Sequence, residues 1–370
     1  MRNTTMCHAL QQHLGTWLPD RSSHILMMAT PKAGSSTACQ IMFAHTGQLE
    51  QARSFVPARG NTGFWGTDDS HDWEHNYMNY VWKAQPEHHL VVPKNRDLHA
   101  CQSFLFHSSP RFTAVKLLRW PLSRIVSTFM YALGETGITI ARMWWVWQRF
   151  VHEAPHSKDP SMLAVRACLR DCATVPRGLD HENCQSRCLT FESMITALEV
   201  HADAWADMNR WRPFTCWGHV FPQASDCDRN ATVRNATVYL PLESIAHGLR
   251  ALETVANFTA MDSMTAVPSA EHKKNGTQYT QKVGLRSDPQ GSRDIAYMPF
   301  RDIVALYGKG RSPPYRHFLA NATLRERVRC LFANDLMLYA HACRQPLLRV
   351  PQCKGKCLPA HCDDPILNGF

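Results

Sequence analysis

Three short apolar runs stand out along the chain, and each reads as a strand: Ile25 to Ala29 (ILMMA), Phe112 to Leu118 (FTAVKLL) and Val238 to Leu240 (VYL). The first is unbroken, as expected of a strand covered on both faces of a parallel sheet. Helical spacing governs other stretches. After Arg119-Trp120-Pro121, the residues Ile125, Val126, Phe129 and Met130 share one helix face. Leu242 to Val255 carries Leu242, Ile245, Leu249 and Leu252 at helical intervals, and Leu324 to Ala342 reads as one helix with Leu331, Phe332, Leu336 and Leu338 apolar. Ile138 to Val151 is a Trp-rich amphipathic helix, read as core packing. Strands that run directly into helices imply an α/β fold with a central parallel sheet flanked by helices.

Polarity divides the chain further. Residues 1–22 are a polar lead-in, residues 23–345 the main domain, and residues 346–370 a cysteine-rich tail holding Cys353, Cys357 and Cys362. From Gln51 to Glu87 periodicity dissolves into Gly, Asp, His and aromatic residues, a surface loop in which His71 and His75 read as solvated. Within the main domain, a helical insertion at about residues 165–190 carries Cys168, Cys172, Cys184 and Cys188 as two C-x3-C pairs. Cysteines four apart share a helix face, so two facing helices can be joined by two disulfides. A four-thiolate zinc site is the rival. A further pair is Cys216 with Cys227.

Composition changes the picture in two ways. The chain has 370 residues, fourteen cysteines and a formal charge of +9. N-x-[ST] sequons stand at Asn3, Asn230, Asn235, Asn257, Asn275 and Asn321. Cysteines and sequons together favour an oxidising compartment of the secretory pathway. The positive charge favours an anionic partner, yet no block of five like charges occurs, which argues against a nucleic-acid arm. No apolar run reaches the length of a membrane span and Met1 to Asp20 lacks a signal-peptide core, so membrane association requires an anchor outside this sequence.

Chemistry concentrates after the first two strands. In His24 to Ile41, Pro31 ends the strand, Gly34 permits a sharp turn, and Ser35, Ser36 and Thr37 offer hydroxyl and backbone N–H donors at a helix start. Lys32 adds a full charge, so the stretch reads as a cradle for phosphate or sulfate. Its lysine precedes the glycine, which does not fit the ATP-type loop G-x-x-x-x-G-K-[ST]. After the second strand comes RWPLSRIVSTF, residues 119–129. Arg119 sits at the carboxyl end of its strand, the edge where ligands bind in open α/β sheets. Ser127 offers a hydroxyl to the same anion, and Arg124 a further charge.

PKAGSST at residues 31–37 resembles the 5′-phosphosulfate loop of sulfotransferases that use 3′-phosphoadenosine 5′-phosphosulfate (PAPS), and LLRWPLSRIVSTF at residues 117–129 resembles their 3′-phosphate motif. TFESMITAL, NRWRPFTC, VYLPLESI and LMLYA extend the likeness toward the Golgi carbohydrate sulfotransferases, in particular the heparan sulfate 2-O-sulfotransferase-like branch. The resemblance implies a P-loop NTPase-like sheet, the sulfotransferase fold. It implies that Lys32 contacts the transferring sulfuryl and its leaving oxygen, and that Ala33, Gly34, Ser35, Ser36 and Thr37 surround the 5′-phosphate. Arg119 and Ser127 would hold the 3′-phosphate. Trp120 departs from the family's usual Asp, and Ala33 from a common Thr. The branch's general base is a histidine some twenty residues before the arginine; His99 is nearest, with His88 and His89 as rivals.

Sulfuryl transfer, like phosphoryl transfer, needs charge stabilisation more than covalent help, and Lys32 with Arg119 supplies it without implying a metal. The expected acceptor is a glycan hydroxyl, an acidic polysaccharide being one candidate that the Lys273/Lys274 loop would steer. Two other classes stay open. One is a non-catalytic secreted glycan-binding relative. The other, less favoured, is a nucleotide-dependent kinase, which requires a Walker lysine and an acidic metal ligand that the chain does not display. The Golgi lumen, or secretion, is the expected location.

Overall fold

Among the described residues three strands pair side by side, all parallel, in the order β1-β2-β3. They are β1 (His24–Ala29), β2 (Phe112–Leu118) and β3 (Thr237–Pro241). In this computed structural model the described residues are 24–29, 112–134, 160–172, 174, 184, 187–200, 222–224, 226–229, 231–245, 248, 294–307, 313–345 and 360–368. Along the chain, β2 is followed by α1 (Pro121–Gly134), α2 (Pro160–Cys172), α3 (Phe191–Val200), α4 (Asp226–Arg229) and α5 (Ala231–Ala236). Beyond β3 come α6 (Phe300–Tyr307), α7 (Tyr315–Phe318), α8 (Ala322–Leu331) and α9 (Ala333–Arg344). Short 3-10 turns cover Leu242–Ser244, Ile295–Tyr297, Ala360–Asp363 and Pro365–Leu367. The described part is thus helical with a small parallel sheet.

The chain divides into two compact units, each described by itself. The first comprises residues 1–120, 222–269 and 334–370 and contains the sheet. Its register pairs Ala29 with Leu117, Lys116 with Tyr239, and Leu118 with Pro241. Lys116 interrupts the apolar run of β2 and is fully buried, which demands a partner. Asp228 on α4 supplies it: one carboxylate oxygen lies 2.5 Å from Lys116 Nζ, and the other accepts from Tyr239 Oη at 2.7 Å. One carboxylate therefore ties two neighbouring strands together. Gln345 does the same for the start of β3, accepting from Tyr239 N at 3.0 Å and donating to Thr237 O at 2.8 Å. Gly248 lies against Leu240, and a Cβ there would sit 2.7 Å from Leu240 Cδ2.

The second unit comprises residues 121–221 and 270–333. Its core is aromatic, with the rings of Phe191, Phe300 and Phe318 meeting Phe129 edge-on at 5.6, 5.7 and 6.0 Å. Helix α1 is buried more widely than a single amphipathic stripe, since Leu122, Arg124 and Thr128 are buried with the expected Ile125, Val126, Phe129 and Met130. Helix α3 opens with a reciprocal cap: Ser193 N donates to Thr190 Oγ1 and Thr190 N to Ser193 Oγ, both at 3.0 Å. Arg327 on α8 spans one face of α3, bonding Glu192, Thr196 and Glu199 at 2.6 to 3.1 Å.

The C-x3-C pairs form two nested disulfides, Cys168–Cys188 and Cys172–Cys184. Nesting follows from cysteines spaced one turn apart on each of two facing segments. Three of these sulfurs, from Cys168, Cys172 and Cys188, lie within 4.8 Å of one another, but sulfurs joined as disulfides are not the thiolates that zinc requires. A third disulfide, Cys343–Cys362, ties the tail to α9. Disulfides fit an oxidising compartment. Among the described residues no helix is long and apolar enough to cross a membrane.

The helix expected over residues 324–342 is interrupted. Phe332 leaves helical geometry (φ −108°, ψ 23°), so α8 ends at Leu331 and α9 begins at Ala333. Neither glycine nor proline marks the break. The helix expected from Leu242 begins as a 3-10 turn, and of its later residues only Ile245 and Gly248 are described.

Candidate functional site

Ladder bonding between β2 and β3 stops at Leu118 opposite Pro241. A proline there offers no N–H, so the backbone groups of the next two residues need other partners. Side chains provide them. Gln223, almost fully buried, accepts from Arg119 N at 2.7 Å and donates to Arg119 O at 2.8 Å. Its amide does what one residue of an adjoining strand would do. Glu243, two residues past the end of β3, accepts from Trp120 N at 2.8 Å. Arg119 O and Trp120 N belong to one peptide plane, and that plane is held from both sides.

The Trp120 side chain closes the arrangement. Its ring is fully buried, stacks on His361 (centroids 4.9 Å apart, planes at 11°) and meets Tyr339 edge-on at 5.1 Å. Tyr339 Oη donates to the second carboxylate oxygen of Glu243 at 3.0 Å. Burial, reinforced by the Glu243 charge, pushes the Tyr339 hydroxyl well above its usual titration range, so it serves as a donor at any physiological pH. Burial lowers the His361 imidazole below its ordinary value, against a smaller opposing pull from Glu243 and Asp364. The stacked ring is neutral near pH 7.

Arg119 itself is half-buried at the carboxyl end of β2. Desolvation lowers its pKa from the usual guanidinium value, and the Glu243 charge partly restores it. A guanidinium in such a place stays charged and interacts with an anion under less screening than at an open surface. Because β1 lies beside β2 and runs parallel to it, with Ala29 level with Leu117, both strands deliver the chain to the same sheet edge. Pro31, the first residue of PKAGSST, stands two residues beyond Ala29 in the sequence, and Arg119 two residues beyond Leu117.

The predicted site residues divide accordingly. Arg119 belongs to the sheet unit, and Ser127, half-buried, lies on α1 in the other. Arg124, expected to add a charge to the anion, is fully buried instead. Lys32, Ala33, Gly34, Ser35, Ser36, Thr37 and the candidate base His99 lie outside the described residues, as do His71, His75, His88, His89, Cys216, Lys273 and Lys274. Four residues were not anticipated in any role at this edge: Gln223, Glu243, Tyr339 and His361. Glu243, the residue that holds Trp120, lies in the VYLPLESI stretch. Nothing local to Gln223 marks it.

Comparisons with protein-family models, curated proteins and solved structures gave no significant match.

Proposed function

We propose that the chain is a sulfotransferase that moves the sulfuryl group of PAPS to a hydroxyl of a glycan, working in the Golgi lumen or after secretion. The observation that carries this reading is the parallel adjacency of β1 and β2, level at Ala29 and Leu117. It supports a single anion site fed by the two sequence stretches that resemble the nucleotide motifs. The rest of a P-loop NTPase-like sheet is part of the same proposal.

In this reading Arg119 holds the nucleotide 3′-phosphate with Ser127, and the partly desolvated guanidinium is the feature that fits an anion. Lys32 and the donors of Gly34, Ser35, Ser36 and Thr37 hold the 5′-phosphosulfate. PAPS supplies the activated sulfuryl. As its phosphate oxygen gains charge on leaving, a preorganised ammonium at Lys32 stabilises it. His99 is the proposed acceptor of the sugar hydroxyl proton. The buried Arg124 is left out of the set. Glycosylation sequons and disulfides support the secretory route.

The test is incubation of purified protein with labelled PAPS and a panel of glycans. The expected result is label on at least one glycan, reduced about a hundredfold or more by Lys32→Ala. Undiminished transfer by Lys32→Ala refutes the role of that loop. Nucleotide binding without transfer to any glycan favours the non-catalytic glycan-binding alternative.

A further inference from the structure

The tail resembles nothing in the two nucleotide motifs, and Trp120 is the position at which the second motif departs from its usual residue. These two oddities touch each other. His361 lies in the short tail turn Ala360–Asp363, and its ring covers Trp120 at 4.9 Å with nearly parallel planes. The turn is tethered by Cys343–Cys362, next in sequence to His361. Cys343 stands four residues after Tyr339 on α9, which brings both to one face of that helix. Trp120 also meets Tyr339 edge-on, at 5.1 Å. One helix face thus presents an aromatic ring to Trp120 and, one turn later, the sulfur that anchors the ring on the other contact.

We propose that the tail is a positioning element of the Arg119 anion site: His361, tethered through Cys343–Cys362, clamps Trp120 against Tyr339 and so sets the direction of the Arg119 guanidinium toward a nucleotide 3′-phosphate. This rests on the nucleotide reading above. The mechanism is mechanical. Trp120 follows Arg119 directly, and their shared peptide plane is fixed by Gln223 and Glu243. An indole free to tilt would draw the Trp120 N–H away from Glu243 and loosen that plane, and with it the backbone that carries the Arg119 side chain. His361 removes that freedom. A ring able to stack suffices; its ionisation is not needed.

Calorimetric titration of the full chain with adenosine 3′,5′-bisphosphate and with 5′-AMP tests this, since only the first carries the 3′-phosphate. In His361→Ala the bisphosphate should bind roughly three- to tenfold more weakly, the value of one lost aromatic contact, while 5′-AMP binds as in the parent. His361→Phe should restore the bisphosphate affinity, and His361→Leu, which fills space without a planar ring, should not. Arg119→Ala is the reference that must weaken the bisphosphate selectively. Bisphosphate affinity unchanged in His361→Ala, with Arg119→Ala impaired, overturns the tail's role and leaves the nucleotide reading intact. Equal weakening of both nucleotides in His361→Ala and no rescue by Phe shows a purely structural contact and also overturns it. A parent protein that binds neither nucleotide, or an Arg119→Ala that binds both normally, overturns the nucleotide reading itself.

Discussion

Replacing Asp228 by Ala removes the acid that serves both Lys116 and Tyr239. All three side chains are buried: the Lys116 and Asp228 side chains are 0% and 1% exposed, and Tyr239 is 0% exposed as a residue. Breaking a buried ion pair by deleting one partner costs about 3–5 kcal/mol, because the remaining charge is stranded. A stranded Tyr239 hydroxyl adds about 1–3 kcal/mol unless it turns to another acceptor. At about 2–4 °C per kcal/mol for a unit of this size, the ion-pair loss alone lowers the melting temperature by about 6–20 °C. Scanning calorimetry of parent, Asp228→Ala and the triple variant Lys116→Met/Asp228→Leu/Tyr239→Phe is the assay. The triple variant should recover most of the loss, since an apolar cluster of similar volume has no charge to strand. A single variant that melts within about 2 °C of the parent would refute the reasoning, and so would a triple variant as unstable as the single one. Either result would mean that the cluster is wetter or looser than its 2.5 Å and 2.7 Å contacts require.

Three further outcomes are expected. Glu243→Gln keeps an acceptor for Trp120 N but turns an amide donor toward Tyr339 Oη, so urea titration should show a loss of about 1–3 kcal/mol. Cys172→Ser/Cys184→Ser opens the inner of the nested bridges, whose cysteines are 12 residues apart, and should cost roughly 2–4 kcal/mol, with peptide mapping showing Cys168–Cys188 retained. His341 and His361 both have lowered folded pKa values, chiefly through burial. The unfolded chain therefore takes up protons first, and the stability of the sheet unit should fall as pH drops below the ordinary histidine value of about 6.5. His361→Phe should flatten part of that fall in denaturation curves taken from pH 7.5 to 5, and an unchanged slope would exclude His361 as a contributor.

How far the chain could be read depended on the distance over which each feature is specified. The strands were legible because apolar runs of three to seven residues signal burial locally, and β2 appears at Phe112–Leu118 as read. Lys116 inside that run implies a distant acid, since a buried charge requires a partner. The disulfides between Cys168, Cys172, Cys184 and Cys188 were legible from helical spacing, and their nesting follows from two facing segments. The break at Phe332 was not. Its periodicity continues through the break and its N–H still reaches Val328 O at 3.0 Å, so no local residue type announces the change in backbone. The surroundings of Arg119 were the least legible, because Gln223, Glu243, Tyr339 and His361 reach it only through topology.

That topology has a consequence for the order in which the protein is made. Arg119 leaves the ribosome long before the groups that hold it, for Gln223 is 104 residues downstream of Arg119 and Glu243 is 123 downstream of Trp120. Tyr339 and then His361 follow, and the Cys343–Cys362 bond closes only after both cysteines are in the oxidising compartment. Contacts of such long sequence separation form late in folding. A nascent chain stopped before Tyr339 therefore carries Trp120 without the two rings that pack on it. Closure of the Cys343–Cys362 bond comes after all of these, so the stacking of His361 on Trp120 is secured only in a chain that extends past Cys362.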